Sequence, residues 1–327
     1  MKDSSIVFPA ACAWEKRFAG SERGIVRLWR TTEAQSEAKA YAKKWPRHFF
    51  DTLKRALRAR SSYKRRPVSM LFPITDKNGI PAFVQACAFE RVFGSKALTA
   101  LRAYGLSDPN ARFYLCEKDG SPSAALYLAG GVLAVSASGE ADPDEIADLI
   151  RRENAVEVDT HWELCEALRK RLGGRTESSY FMVYQGEPPE SACPGISTGR
   201  LPEVFDVLRQ SHEYYRSHLE YGAWSSEWTR RLSLGLSELY QVERDGKIVA
   251  TGSIASEDET CGVIAAVAVL PAWRRQGLGS EISRFLVRKI LDSGKTPRLI
   301  AGYDAVAELY RKVGFVPCGR WGELYLT

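Results

Sequence analysis

Two patterns are missing from this sequence: a long apolar run and paired cysteines. The longest apolar runs, such as residues 263–270, fall far short of the roughly 20 residues that cross a bilayer, and no charged, apolar and cleavable signal pattern opens the chain. The seven cysteines are scattered singly, with no C-x-x-C pair, which argues against a disulfide framework or a zinc site. We expect a globular protein of the cytoplasm that spans no membrane and binds no metal.

The basic charge of the chain is concentrated at one end. Residues 1–66 hold 17 Lys and Arg against 6 Asp and Glu, which gives +11, so residues 67–327 carry −5 of the net +6. Apolar periodicity is poor in this basic segment. Two interpretations are open: an arm that binds nucleic acid or another anionic surface, or a weakly ordered extension, upstream even of a start at Met70. We favour the extension.

Regular periodicity begins at residue 68 and repeats one order of elements twice. In the first half we predict strands at 68–74, 112–117, 124–128, 132–136, 155–159 and 180–184, and helices at 81–104, from Pro143 and at 162–172. Residues 185–194 hold three prolines and are predicted to be a linker. In the second half we predict helices at 201–218, 226–234, 278–292 and 304–313, and strands at 239–243, 247–256, 261–270, 298–301 and beyond. A turn shared by residues 117–120 (EKDG) and 243–246 (ERDG) modestly supports a duplication.

A buried strand, a glycine-containing loop and a helix follow one another in the second half. Residues 261–270 are almost purely apolar, as in a strand covered on both faces, and Pro271 ends the strand. The next residues, RRQGLGS at 274–280, lead into an amphipathic helix. Free N–H groups of a first helical turn, the helix dipole, glycines and arginines together favour a bound anion. The spacing matches neither the dinucleotide G-x-G-x-x-G nor the Walker loop.

This loop resembles the pyrophosphate loop of the GNAT N-acetyltransferase superfamily, in which R-x-x-G-x-G follows a buried strand. Residues 304–315 (DAVAELYRKVGF) resemble the closing helix and turn of the same family, where a tyrosine precedes a Gly-Phe pair near the cofactor sulfur. The resemblance covers about residues 197–327. It implies an α/β (α+β) fold of tandem GNAT-like domains, each a mixed, mostly antiparallel central sheet flanked by helices. The expected division is an extension at 1–66, a degenerate domain at 67–187 and a catalytic domain at 188–327.

The resemblance also implies roles for individual residues. Backbone groups of Val267 and Val269 are expected to hold the pantetheine arm of acetyl-CoA, and Tyr310 to be the general acid. A phenol with a pKa of about 10 suits a departing thiolate whose conjugate acid has a pKa of about 8.5; the competing interpretation is a half-buried tyrosine with its hydroxyl in water. Asp304 replaces a frequent asparagine and has a simpler interpretation as a helix N-cap. The full set of implied cofactor-binding residues is Val267, Ala268, Val269, Arg274, Arg275, Gln276, Gly277, Leu278, Gly279, Ser280 and Asp304.

The general base is open, because the strand at 261–270 carries no carboxylate. One candidate is Glu257, in the acidic run 257–259 of the preceding hairpin, although such a run is more often a solvated turn. The other is His218, which shares a helical face with Tyr214 and Tyr221. A histidine there can relay a proton, and an ordinary aromatic packing face is the competing interpretation.

The first half has acidic residues where the second half has the arginine loop. Residues 137–145 read ASGEADPDE, and four carboxylates at this place suit a helix N-terminus but repel a pyrophosphate. We therefore expect the first half not to bind CoA and to have a structural role, covering the catalytic domain and shaping the acceptor cleft.

The resulting hypothesis is an acetyl-CoA-dependent N-acyltransferase. Acetyl-CoA is the co-substrate, and the acetyl group passes to a primary amine of a small molecule or a protein by direct attack in a ternary complex. Two alternatives remain open. One is a non-catalytic acyl-CoA-binding sensor, for which the missing base and Asp304 are the support; the other is a protein associated with nucleic acid or the ribosome through residues 1–66.

Overall fold

The computed structural model describes residues 69–190, 193–218 and 220–326, without the side chains of Tyr214 and His218. Residues Pro67–Thr327 form one compact unit. The basic segment 1–66, with the interpretations given to it, lies outside the described residues. Within the described ranges, no helix has the length and apolar character that crossing a membrane requires.

The described residues form twelve strands and nine α-helices, with short 3-10 turns at Lys77–Gly79 and Pro271–Trp273. The strands are β1 (Ser69–Pro73), β2 (Arg112–Lys118), β3 (Ser121–Ala129), β4 (Val132–Ala137), β5 (Glu157–His161), β6 (Arg175–Tyr184), β7 (Ile196–Thr198), β8 (Glu238–Arg244), β9 (Lys247–Glu257), β10 (Cys261–Val269), β11 (Thr296–Ala301) and β12 (Phe315–Tyr325). The helices are α1 (Ile80–Ala86), α2 (Arg91–Tyr104), α3 (Pro143–Glu153), α4 (Trp162–Leu172), α5 (Leu201–Ser211), α6 (Glu213–His218), α7 (Tyr221–Ser233), α8 (Leu278–Asp292) and α9 (Asp304–Val313).

All of these strands join one mixed sheet in the order β1-β2-β3-β4-β5-β12-β6-β11-β10-β9-β8-β7. Only the pairs β4/β5 and β10/β11 are parallel, so the sheet is mostly antiparallel, as the sequence predicts. Each strand of the first half has a counterpart in the second half whose number is six higher. When every strand is replaced by its counterpart, the order reads the same from the other end of the sheet. The two halves therefore share one topology, related by a pseudo-two-fold axis between β12 and β6.

The two halves exchange their last strands. Strand β12 of the second half lies between β5 and β6 of the first, and β6 lies between β11 and β12. The sheets of the two halves are thus joined into one, with the long β12/β6 pair at the centre. The shared hairpin turn also repeats in three dimensions, since φ is positive at both Asp119 and Gly120 and at both Asp245 and Gly246.

Helices cover both faces of the sheet. On one face α3 and α4 bury Ile146 and Leu168 against the first half, and α8 buries Ile282 and Leu286 against the second. On the other face lie α1 and α2 and α5 with α7. Leu239 and Tyr240, neighbours on β8, pack into the α5 cluster and the α8 cluster respectively, because successive strand side chains point to opposite faces.

Two predicted helices are each divided in the structure. The helix predicted at 81–104 is two helices, because the side chain of Glu90 accepts hydrogen bonds from the N–H groups of Val92 and Phe93 and so begins α2. The helix predicted at 201–218 is interrupted at His212, where φ is −146° and the backbone is extended. The helix predicted at 226–234 begins earlier, at Tyr221. The helices predicted at 278–292 and 304–313 have the predicted bounds.

Candidate active site

The parallel strands β10 and β11 separate soon after they begin. They pair only at Cys261 with Thr296, Gly262 with Pro297 and Val263 with Arg298. A bulge follows in β10 between Ala265 and Ala268. At its centre Ala266 has φ of 52°, a value unusual for a residue with a side chain. The result is a gap between β10 and β11, which opens toward the end of β10.

The edge of β10 that borders this gap offers unpaired backbone groups. The N–H of Leu270 donates to Val249 of β9 at 2.9 Å, and successive N–H groups of a strand point to opposite edges. The N–H groups of Val269 and Val267 therefore point to the gap, while the N–H of Ala268 points to β9. These are the two residues whose backbone groups the sequence analysis expects to hold the pantetheine arm.

The loop after β10 is a concave set of backbone donors. Gly277 is the N-cap of α8 with φ of 86°, and Arg275 also has a positive φ, 62°. The first N–H groups of a helix have no partner within it, and positive-φ residues next to helical ones form nests that bind anions. An added Cβ on Gly279 would lie 3.4 Å from a side-chain carbon of Leu309, an ordinary contact, so the packing of α8 on α9 does not require glycine at this position.

The two arginines of the loop have different roles. Arg274 Nε donates to the carbonyl of Val269 at 3.2 Å, and its Nη2 donates to the carbonyl of Ser211 at 2.6 Å. Arg274 therefore ties the loop to the end of α5. Arg275 is exposed and has no hydrogen bond or ion pair with any described residue, so its charge is available to a ligand.

Tyr310 is buried on α9, with 7% of its surface exposed, and its ring packs edge-on against Phe315 at 5.6 Å. The interpretation with its hydroxyl in water is therefore wrong. Burial raises the pKa of Tyr310, and Tyr215 raises it further. Tyr215 packs with the α5 cluster on the opposite face of the sheet, so the two phenols approach one another across the gap. The sequence analysis gives Tyr215 no role of its own; the resemblance only places it on the helical segment that usually walls the substrate side in the family.

Asp304 does not cap α9. The N-cap is Tyr303, whose side chain makes no capping hydrogen bond, and Asp304 Oδ1 instead accepts a hydrogen bond from the Tyr180 hydroxyl at 2.9 Å. The interpretation of Asp304 as an N-cap is therefore wrong. Tyr180 belongs to β6, so the exchanged strand of the first half contributes directly to the surroundings of α9.

Among the described residues, no contact places Glu257 or His218, the two candidates for the general base, next to Tyr310. Glu257 lies opposite Gly262, at the closed end of the gap, and its carboxylate binds Lys295 at 2.8 Å. The acidic run is also not simply solvated, because Asp258 is buried and accepts N–H groups of the turn. His218 is the last residue of α6, and its side chain lies outside the described part of the chain.

The corresponding place in the first half has its backbone donors already occupied. Asp142 accepts the N–H of Asp144 at 2.9 Å, and Pro143 between them has no N–H. The N–H of Glu140 is bound by Ser138. Where the second half has its gap, the hydroxyl of the buried Thr160 on β5 donates to the carbonyl of Val135 on β4 at 3.2 Å. Helix α4 contains no tyrosine.

Comparisons with known proteins are consistent with this geometry. Residues 201–315 match the model of the acetyltransferase (GNAT) family. No curated protein sequence matches the chain. Similar solved structures include a Drosophila protein (14% identity, 79% of this chain and 99% of that one, TM-score 0.55) and a tandem GNAT protein from the clavulanic acid biosynthesis pathway (12%, 78% and 97%, TM-score 0.53). A GNAT-family acetyltransferase from Colwellia psychrerythraea is also similar (13%, 79% and 100%, TM-score 0.51). At these identities the likeness concerns the fold.

Proposed function

We propose that the chain is an acetyl-CoA-dependent N-acyltransferase that acetylates a primary amine, because residues 201–315 match the model of the acetyltransferase (GNAT) family. The observation that carries this proposal is that two sets of backbone N–H donors follow one another, the first along the gap beside β10 and the second in the loop after it. The N–H groups of Val267 and Val269 line the gap, and the loop 274–280 continues from it. A ligand with an amide-containing arm and a pyrophosphate is complementary to that path.

The second half has the features that acetyl-CoA requires. Arg275 and the N–H groups around Gly277 and Gly279 would hold the pyrophosphate, because full positive charge and helix N-terminal donors both favour a phosphate. The exposed backbone edge of β10 would hold the amides of the pantetheine arm by strand-like hydrogen bonds. Arg274 supports the loop through its two backbone contacts, and Asp304 helps to fix α9 through Tyr180.

In the proposed reaction the neutral amine attacks the thioester carbonyl carbon. A C–N bond forms, the C–S bond breaks, and the departing thiolate takes a proton from Tyr310. The phenol of Tyr310 is protonated at neutral pH at its ordinary pKa of about 10, as a general acid must be; burial raises that pKa, which makes the free hydroxyl a weaker acid. We assign no residue as base: Glu257 is held by Lys295 at the closed end of the gap, and water can take the proton of the incoming amine.

We propose a structural role for the first half, residues 67–187. Its occupied backbone donors leave no counterpart of the phosphate loop. Strands β4 and β5 pair at three positions, as β10 and β11 do, but β4 has no bulge and the Thr160 contact joins β4 and β5 directly beyond those pairs. Its contribution to the second half, residues 188–327, is strand β6, which supports β11 and carries Tyr180. One molecule of acetyl-CoA per chain is therefore expected.

The test is a calorimetric titration of acetyl-CoA into the wild-type chain and the Arg275→Glu variant. Arg275 is preferable to Arg274, whose contacts with Val269 and Ser211 support the fold. We expect one site in the wild type and at least tenfold weaker binding in the variant, since a charge facing the pyrophosphate is reversed. Arg288→Glu, on the exposed side of α8, is the matched control. Two sites would contradict the role given to the first half, and no binding would remove the acetyltransferase proposal.

A further inference from the structure

A polar cavity of about 380 Å³ lies where the two halves meet, beside the N-terminal end of α2. Both halves contribute to it, since β12 and β11 of the second half face α2 and the β5–α4 junction of the first. Its charged and titratable lining residues are Glu90, Arg91, His161, Glu163, Arg298 and Arg320. None of them belongs to the phosphate loop or to the bulged part of β10.

Three of these groups are already engaged by the protein. Glu90 accepts the first N–H groups of α2. Arg91 donates to the Thr260 hydroxyl at 3.0 Å. Arg320 donates to Ser178 at 2.6 Å and stacks over Trp162 at 4.6 Å. Burial lowers the pKa of His161, so its imidazole is uncharged at neutral pH.

Two charged groups of opposite sign make no hydrogen bond or ion pair with an oxygen atom of the described residues. Arg298 Nε is buried with no hydrogen bond, and its Nη1 donates to the sulfur of Cys318 at 3.8 Å. Burial raises the pKa of the neighbouring Glu90, and the positive charge of Arg298 opposes that rise. Glu163 makes no hydrogen bond or ion pair with any described residue. A buried guanidinium N–H without an acceptor is unfavourable, and the planar fork of arginine fits a carboxylate with two hydrogen bonds.

We propose that this cavity binds a small amino carboxylate, with its carboxylate on Arg298 and its ammonium group on Glu163. Glu163 and Glu90 would repel a ligand that carries only a negative charge, and Arg298 would repel one that carries only a positive charge. A ligand with both charges is therefore complementary to Arg298 and Glu163 together. The volume accommodates a molecule of the size of an amino acid. The site does not use acetyl-CoA or Tyr310, so the proposal does not depend on acetyl transfer.

The test is thermal unfolding of the full chain with a series of probes whose charges are increasingly far apart: glycine, β-alanine and 4-aminobutyrate. At about 50 mM, we expect at least one of the three to raise Tm by about 2 °C or more, because a ligand bound only to the folded state stabilises it. Equal concentrations of acetate and methylammonium, added together, are the control for salt. Inorganic phosphate is the probe for a simple anion site, and it is added to the Arg275→Glu variant so that binding at the loop 274–280 does not contribute.

Variants identify the residues responsible. Arg298→Met and Glu163→Gln should each abolish the shift, and Arg298→Lys, which keeps the charge but not the fork, should require at least tenfold more probe. Arg275→Glu should respond as the wild type does, which separates this site from the cofactor loop. The proposal is overturned if no amino carboxylate exceeds the salt control, if phosphate alone stabilises, or if the shift persists in Arg298→Met.

Discussion

Tyr310 and Tyr215 place two phenols at one gap from opposite faces of the sheet, and only one of them is expected to donate the proton. Tyr310→Phe should lower kcat about 100-fold, the lower end of what a positioned acid contributes, and leave the affinity for acetyl-CoA within about twofold. The measurement is release of the free CoA thiol with an amine found by screening. Tyr215→Phe is the matched variant, with kcat expected to stay within about threefold.

The pattern of effects distinguishes the competing roles. A fall confined to Tyr215→Phe would reverse the two assignments. If wild type binds acetyl-CoA and no amine supports turnover, the acyl-CoA sensor becomes the better description. Loss of cofactor binding in Tyr310→Phe, which keeps the ring that packs against Phe315, would instead indicate that the hydroxyl binds acetyl-CoA.

Glu323 should make the fold less stable as the pH rises. The carboxylates of Glu157, Asp159 and Glu323 lie within 4.8 Å of one another, and burial, reinforced by the charge of Asp159, raises the pKa of Glu323 from 4.5 to about 8. The folded state therefore binds the proton more tightly than the unfolded state, and the free energy of unfolding falls as pH rises from about 4.5 to about 8, by on the order of 3 kcal/mol.

Glu323→Gln removes this dependence. The variant should match the wild type near pH 5 and exceed its Tm by several degrees near pH 9, in thermal unfolding followed by circular dichroism. The exposed Glu259→Gln is the control and should follow the wild type at both values. Equal pH profiles for Glu323→Gln and the wild type would show that the carboxyl ionises freely in the folded protein.

At the scale of elements, the bulge of β10 is the feature that keeps β10 away from β11. A valine at position 266 strains this backbone, because a β-branched residue tolerates positive φ poorly. Ala266→Val should destabilise the fold by about 1–3 kcal/mol and weaken acetyl-CoA binding by about tenfold in calorimetry. Ala266→Gly, which accepts the same φ without strain, should bind as the wild type does. Unchanged binding in Ala266→Val would mean that the gap does not depend on the bulge.

The elements that the sequence predicts best are those with local signals at both ends. Helix α8 begins after Gly277, helix α9 ends before Gly314 with φ of 116°, and each has one apolar face. The break between α1 and α2 was missed because its cause is the side chain of Glu90, a good helix former that here folds back to cap the next helix. Local propensity does not distinguish these two uses of glutamate.

The pairing of β12 with β5 and β6, which joins the two halves, could not be predicted from the sequence for a different reason. Strands β6 and β12 each follow a helix and each mix polar with apolar residues, and nothing in their composition says which half each one completes. The loop 274–280 and Tyr310 could be proposed from the sequence because a motif carries them. Tyr215, Tyr180 and the guanidinium of Arg298 depend on how distant segments meet, and no periodicity records that.

At the scale of the whole molecule, the exchanged strands make the two halves interdependent. Residues 67–187 and 188–327, produced separately, should each fail to fold, because β5 and β6 lose β12 while β11 and β12 lose β6. Produced together they should form a 1:1 complex that binds acetyl-CoA, measured by size-exclusion chromatography and calorimetry. The control is a full chain with a protease site inserted after residue 187 and cut after folding. A monomeric, folded second half would contradict this interdependence.

The exchange of strands also determines when each strand can pair during synthesis on the ribosome. Strand β6 is translated more than a hundred residues before its neighbours β11 and β12, so β5 and β6 wait as open edges while the second half is made. Open edges pair readily with other chains, and contacts between distant segments form slowly. Nascent chains of this protein are therefore expected to depend on chaperones until β12 closes the sheet.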